Sequence, residues 1–398
     1  MADLRQLLSQ GRKRIGLLVG AGAPLAIRTD GSGKLDDEGT PLISGVDDLT
    51  SKAVAALSGT EASAVAAIIK SLEEDPNVES VNIETILSRV RLLQSALGSS
   101  EVNGLDSVGH EGVGKNICAA IGTLVGAYLP KDRCAYNEIV SWISGTQRPH
   151  PIEVFTTNYD LLFEEAFEAA HAPYYDGFSG SYEPFFDPAT VSGDELPARW
   201  SRLWKIHGSL GWKLSENGVI RSGGRYENQL VYPDHLKYDL TQKQPYSSLF
   251  ERLKSFLLTP DTLLLTTGFS FRDSHICAVL DEALAMNSNS SVFAFQYGSL
   301  DVEESAVQMA YSRPNFSVFA SDGAVINGVK AKWQLGPPPK NWLEIRATFW
   351  ENHNDDDSGY FILGDFVKFC RFCALSQSVD FEINSTTQVA TEADEATD

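Results

Sequence analysis

The sequence predicts an α/β fold, a doubly wound parallel sheet carrying a helical insertion and a short C-terminal extension. Three observations carry this prediction. Short apolar runs alternate with helix-period segments over residues 146–335, as stacked βαβ units require. Several of these runs end on Gly, Asn, His or Ser, which leaves small and polar groups at the carboxyl edge of a sheet. Between the first strand and the rest lies a long helical block, residues 46–145.

The elements follow in order. Ile15 to Val19 is a continuous apolar run between Arg12-Lys13-Arg14 and Gly20-Ala21-Gly22-Ala23-Pro24, and reads as a strand buried on both faces. Thr29 to Gly45, rich in Gly, Asp, Ser and Pro, reads as a loop. The helical block offers Ser63–Leu72, Ile83–Leu97, Ile117–Tyr128 and Tyr136–Ile143 as helices, with Gly98–Gly112 as a polar loop. Strands then return at Ile152–Thr156, Leu203–Ile206, Leu263–Thr267, Val292–Tyr297 and Phe316–Ala320. Helices are expected at Tyr159–Ala170, Ser274–Ala285 and Val302–Ser312. Tyr174–Trp200 and Trp212–Tyr238 are long connections rich in Tyr, Pro, Gly and Asp, of the kind that forms lids and binding loops. After Gly336-Pro337-Pro338-Pro339 come an acidic loop at Asp355-Asp356-Asp357, an apolar segment Phe361–Leu375, and a polar acidic tail from Ser376 to Asp398 expected to be disordered. The expected division is residues 1–45 and 146–335 for the α/β domain, 46–145 for the insertion and 336–398 for the extension.

Composition narrows the function classes. Hydrophobic residues are 43% and charged residues 21%, an ordinary globular balance. Acidic residues outnumber basic ones by 53 to 32, a net charge of −21, so direct binding to a nucleic-acid backbone is not expected. A small anionic cofactor still fits where backbone N–H groups and a helix N-terminus face it. No apolar run approaches the roughly 18 residues that a membrane span needs. The N-terminal stretch lacks a signal-peptide core, and five scattered cysteines do not make a secreted disulfide framework, so the cytoplasm is the expected location.

Four strand ends carry the candidate chemistry. At Gly20-Ala21-Gly22, glycines permit a sharp turn and close approach to a pyrophosphate, with N–H groups facing it. Leu25 stands where a third fingerprint glycine would be, and a plain tight turn is an equal reading. At Thr156-Thr157-Asn158-Tyr159-Asp160, polar side chains are placed to meet a ribose or to cap the following helix. Capping is favoured for Asp160, and both readings stay open for Asn158. At Lys205-Ile206-His207-Gly208-Ser209, His207 suits a general base, although a lone histidine is more often bonded to a carbonyl in a core. At Gly268-Phe269-Ser270-Phe271-Arg272-Asp273, a ligand turn competes with simple capping by Asp273 or Ser274. Ser321-Asp322-Gly323 repeats the pattern faintly and reads first as a turn.

Taken in order, this set resembles the sirtuin family, whose fold is a Rossmann-like doubly wound sheet. Gly20-Ala21-Gly22 is similar to its Gly-Ala-Gly motif, Thr156-Thr157-Asn158-Tyr159-Asp160 to its Thr-Gln-Asn-x-Asp motif, His207-Gly208 to its His-Gly, and Gly268-Phe269-Ser270-Phe271 to its Gly-Thr-Ser-Leu. The resemblance implies NAD as substrate. Gly20, Ala21 and Gly22 would hold the pyrophosphate. Asn158 would bind the nicotinamide ribose and position a water, with Thr157 and Asp160 beside it. His207 would be the base. Gly268, Ser270 and Phe271 would face a phosphate or the adenosine ribose, and Asp322 the adenine. Deacylating members carry four zinc cysteines between the His-Gly and Gly-Thr-Ser motifs; here no cysteine lies between His207 and Gly268, and Ala23-Pro24 replaces the serine after the first motif. No zinc or other metal is expected, and the Cys370-x-x-Cys373 pair reads as packing.

A zinc-free sirtuin-like domain with a helical insertion is similar to NAD-hydrolysing effectors of bacterial antiphage defence. The implied reaction is NAD glycohydrolysis, giving nicotinamide and ADP-ribose. With only about 60 residues after the core, the chain resembles the short subunits paired with a HerA-type ATPase. A closed homo-oligomer is expected, with Phe361–Leu375 as a candidate interface. The alternatives are a protein deacylase and a module that senses NAD or ADP-ribose without turnover.

Overall fold

The protein is described by a computed structural model covering residues 2–10, 12–76, 78, 81–145, 148–216, 218–225, 244–334, 343–352 and 359–376. The Pro337–Pro339 run, Asp355–Asp357, the tail from 377 and the second half of the Trp212–Tyr238 connection lie outside the described residues. Along the chain the strands are β1 (Arg14–Val19), β2 (Arg28–Thr29), β3 (Thr40–Pro41), β4 (Glu153–Thr156), β5 (Tyr174–Tyr175), β6 (Phe178–Ser179), β7 (Phe185–Phe186), β8 (Ser201–Lys205), β9 (Trp212–Ser215), β10 (Gly218–Arg221), β11 (Thr262–Thr267), β12 (Ser291–Phe295), β13 (Phe316–Phe319), β14 (Gly323–Ile326), β15 (Val329–Lys332), β16 (Trp350–Asn352) and β17 (Gly359–Phe361).

Nine of these form one sheet in the order β15-β14-β13-β12-β11-β1-β4-β8-β5. Every pairing from β5 across to β13 is parallel, and β14 and β15 add an antiparallel edge. The chain starts at β1 in the middle, builds outward through β4 and β8, then returns to the other side of β1 with β11, β12 and β13. The direction of winding therefore switches at β1. In open α/β sheets the crevice at such a switch is where ligands bind.

The period-2 alternation of the strands divides the core in two. Leu17, Val19, Val154, Leu203, Leu263 and Leu265 point into one apolar cluster, and Leu18, Phe155, Trp204 and Leu264 into the other. Both faces are covered, as a parallel sheet requires. The first face is covered by the helices of residues 46–145 and by Leu162–Ala169, whose Ile86, Leu87, Val113, Ile117, Tyr136 and Phe163 are buried in the same cluster. The second face is covered by helices Tyr246–Leu258, Ser274–Met286 and Glu304–Ser312. A second sheet, β6-β7-β10-β9, is built from the long connections either side of β8. No helix among the described residues is long and apolar enough to cross a membrane.

Some boundaries differ from expectation. The Gly98–Gly112 loop ends early, because Asp106 caps a helix over Ser107–Val125, its carboxylate accepting from the Gly109 N–H at 2.8 Å. Two of the glycines that suggested a loop, Gly109 and Gly112, sit inside that helix. The Thr29–Gly45 loop contributes the short β2–β3 pair. Helix Tyr159–Ala170 begins only at Leu162. The β14–β15 hairpin was not anticipated, although its Asn327-Gly328 turn, with φ of +51° and +75°, is a strong hairpin signal.

Phe361–Leu375 is also corrected. It supplies β17's last residue and a helix, Phe366–Leu375, with Phe361, Leu363, Phe366, Phe369, Cys370, Phe372 and Cys373 all buried in the first cluster. An apolar surface spent inside the chain gives no reason to expect an interface between copies there. Cys370 and Cys373 are packing residues, and burial pushes both thiols up.

Candidate functional site

The four expected strand ends are those of β1, β4, β8 and β11, which are adjacent in the sheet and meet at its carboxyl edge. Gly20 and Gly22 turn the chain out of β1. Their N–H groups are already used, Gly20 donating to the Thr267 carbonyl at 3.1 Å and Gly22 to the Gly268 carbonyl at 2.9 Å. A Cβ on Gly20 would lie 2.4 Å from the Gly268 oxygen, and one on Gly22 would lie 2.6 Å from the Gly268 Cα. Gly268 itself has a φ of +62°. The glycines are thus demanded by the contact between two strand-end turns, and their own N–H groups are spent on that contact. Ala21, exposed at the tip, carries the turn's surface, and the helix after it is only Gly22–Ala26.

Asn158 is buried, and its Nδ2 donates to the Gly20 carbonyl at 3.0 Å. Its N–H donates to Thr156 Oγ1 at 3.1 Å, and that hydroxyl donates to the Val19 carbonyl at 2.9 Å. The Thr157 N–H also reaches the Val19 carbonyl, at 3.2 Å. Asn158 therefore does not cap the helix; it ties the end of β4 to the glycine turn. The capping work falls to Asp160, whose carboxylate accepts from the Leu162 N–H at 3.1 Å. Thr156, named in the motif without a role of its own, links the two strand ends through its hydroxyl.

Beneath this loop lies a buried charged cluster that the sequence reading missed. Lys205 Nζ donates to the Asp160 carbonyl oxygen and pairs with Glu164 Oε1 at 3.2 Å. Burial pushes the carboxyls of Asp160 and Glu164 up, against the pull of the Lys205 ammonium. Lys205 is the last residue of β8, so one ammonium joins the strand bearing His207 to the loop bearing Asn158.

His207 follows β8 by two residues, with its side chain 13% exposed. Its Nε2 lies 3.0 Å from Asp273 Oδ2. Asp273 belongs to the turn after β11, so this contact spans the ends of β4 and β1. Burial pushes the Tyr159 phenol well up, and Glu84 and Arg91 on helix Ile83–Leu97, Tyr246 and Asp273 lie within its electrostatic reach. The helical block thereby bears on the site.

The remaining expected residues are placed less uniformly. Ser270 is exposed at the tip of the β11 turn. The Phe271 ring is core, packed edge-on against Phe269 at 4.9 Å and Phe316 at 5.3 Å, so its side chain is not a ligand wall. Asp322 lies past β13, three strands from β1 and so roughly 14 Å away by strand spacing. Its carboxylate accepts from the Leu300 N–H at 2.8 Å, a loop-holding bond. Among the described residues no group of three or more His, Cys, Asp or Glu side chains is gathered as metal ligands would be.

The family model described as SIR2-like domain matches residues 152–314. The match takes in Asn158, His207, Gly268, Ser270 and Asp273, and leaves the Gly20 turn and Asp322 outside. It supports a sirtuin-like family and an NAD-related activity. A search of curated proteins found no match.

Proposed function

We propose that the chain is an NAD glycohydrolase, releasing nicotinamide and ADP-ribose. The observation that carries the reading is the placement of Asn158 and His207 two residues past the ends of the paired parallel strands β4 and β8, with Asn158 bonded to the β1 turn where the sheet's winding switches.

In this reading NAD lies across the ends of β1, β4 and β8. Loss of nicotinamide develops positive charge at the ribose C1′. A water held by Asn158 attacks C1′ as the C1′–N bond breaks and its electron pair returns to the pyridine nitrogen. His207 takes the proton from the water and later passes it to solvent. The balance is NAD⁺ and water giving nicotinamide, ADP-ribose and a proton.

The biological role we infer is NAD depletion in antiphage defence, with a homo-oligomer and a HerA-type ATPase as partners in the cytoplasm. This part rests on the family resemblance alone. The test is release of nicotinamide and ADP-ribose from NAD by the purified chain, with His207→Ala and Asn158→Ala beside it. Each variant should lose about 10²–10⁴ in rate while remaining folded. Unchanged turnover in both would overturn the roles given to these residues. Removal of acyl groups from a lysine peptide, without net NAD hydrolysis in its absence, would favour the deacylase reading instead.

A further inference from the structure

We propose that Asp273 is a positioning residue for His207: its carboxylate holds the imidazole as the Nε2–H tautomer and so makes Nδ1 the atom that takes the proton. The inference rests on the glycohydrolase reading above and adds to it a residue and a proton address.

The two oxygens of Asp273 have separate work. Oδ1 accepts from the His275 N–H at 2.9 Å and the Ile276 N–H at 3.2 Å, at the start of helix Ser274–Met286. Oδ2 lies 3.0 Å from His207 Nε2. A carboxylate pinned by two amides has a fixed direction. An ionised carboxylate only accepts hydrogen bonds, so the ring nitrogen facing it carries the hydrogen, and in the neutral ring the other nitrogen then holds the lone pair. The pair is largely out of water, with the side chains 13% and 12% exposed.

The segment that delivers Asp273 is held in an unfavourable shape. Phe271, two residues earlier, has a φ of +57°. For a bulky side chain that costs about 1–2 kcal/mol, and the ring's burial between Phe269 and Phe316 offsets it. Capping a helix needs no such strain. What the strained turn achieves is reach, carrying a carboxylate from the end of β11 past β1 and β4 to the histidine after β8. Tyr159, and Cys277 one turn into the helix, lie within electrostatic reach of the Asp273 carboxylate. The Cys277 thiol is pushed up to about 12 by burial first and the Asp273 charge second, so it stays neutral.

During turnover the O–H bond of the water breaks toward Nδ1, the O–C1′ bond forms, and nicotinamide leaves with the electron pair of the C1′–N bond. The imidazolium so formed is stabilised by Asp273, which keeps its own charge throughout.

Two variants separate positioning from capping. Asn and Ser cap helices as well as Asp does, so a purely capping role leaves kcat near wild type in Asp273→Asn and Asp273→Ser. The positioning role predicts otherwise. The Asn amide offers N–H to Nε2, forces the Nδ1–H tautomer and lowers kcat by roughly 10²–10⁴ with little change in KM. Asp273→Ser takes the carboxylate away from Nε2 and likewise lowers kcat with little change in KM. In parallel, ¹⁵N NMR of histidine-labelled protein, with His207 assigned through His207→Ala, reads the tautomer without any turnover. We expect Nε2–H in the wild type and Nδ1–H in Asp273→Asn. An Nδ1–H wild-type ring, or an Asp273→Asn variant with undiminished kcat, overturns the proposal. A wild type that does not hydrolyse NAD overturns the glycohydrolase reading, and the tautomer still decides the role of Asp273.

Discussion

Replacing Lys205 by Met tests the cluster beneath the site. Lys205 is 2% exposed, and its ammonium is shared between the Asp160 carbonyl and the Glu164 carboxylate. Met keeps the stem and removes the charge. Breaking a buried pair by deleting one partner costs about 3–5 kcal/mol. Here Glu164 Oε2 is already without a hydrogen-bond partner among the described residues, so the stranded carboxylate has little to fall back on. The pH dependence has a definite sign. The carboxyls of Glu164 and Asp160 are raised in the folded state, so each binds its proton more tightly folded than unfolded. Stability therefore falls as pH rises from the unfolded value through the folded one, and recovers as pH drops. Losing Lys205 raises these carboxyls further, which makes the variant's deficit largest near pH 8 and smaller near pH 5.5. Urea unfolding followed by tryptophan fluorescence at the two pH values measures this directly. Adding Glu164→Gln should restore most of the stability, a coupling that the double variant quantifies. Turnover should stay low even then, because the bond from Lys205 to the Asp160 carbonyl remains absent. A deficit under about 1 kcal/mol, or one equal at both pH values, would refute the account of the cluster.

Two further outcomes follow from the same geometry. Gly268→Ala places a Cβ at φ +62°, 2.6 Å from the Ala23 nitrogen. It should lower the melting temperature, the left-handed conformation alone costing about 1–2 kcal/mol, and reduce turnover with it; a variant as stable and active as wild type would show that the two turns do not need to touch. Cys134, Cys370 and Cys373 are buried with thiols pushed up, and Cys277 is held at about 12. A thiol reagent near neutral pH should modify half-exposed Cys118 in the native protein, Cys277 more slowly, and buried Cys134, Cys370 and Cys373 only on unfolding; rapid native labelling of Cys370 or Cys373 would contradict the burial of the C-terminal helix.

Much of the architecture was legible because it depends on short-range pattern. The runs Ile15–Val19 and Leu263–Leu265 carry no polar side chain, which suits two-sided burial, and both lie in central strands. The helix Ile83–Leu97 appears where its period puts it, and the structure adds a cap, Asn82 and Thr85 bonding reciprocally. Where local signals conflicted, tertiary contacts decided. Gly109 and Gly112 suggested a loop, yet the cap at Asp106 and packing against helix Ile83–Leu97 placed them in a helix. The apolar Phe361–Leu375 segment carried no mark of its destination, and only the fold shows it covering the first face of the sheet.

The same division holds at the site. The sequence by itself determined which strand ends carry small and polar residues, since turning out of a parallel strand demands them locally. Asn158, His207 and Gly268 were therefore visible as candidates. It did not determine what each one touches. That Gly20 and Gly22 are glycine because Gly268 presses on them, that Asn158 bonds the Gly20 carbonyl across 138 positions of chain, and that Lys205 clamps Asp160 and Glu164 are long-range facts. Asp273 is the clearest case. Its sequence context reads as a helix cap and it is one, but its second oxygen finds His207 only because β8 and β11 flank β1 and β4 in one sheet. Local periodicity records which element a residue belongs to; which elements become neighbours depends on strand order, and no local pattern encodes that.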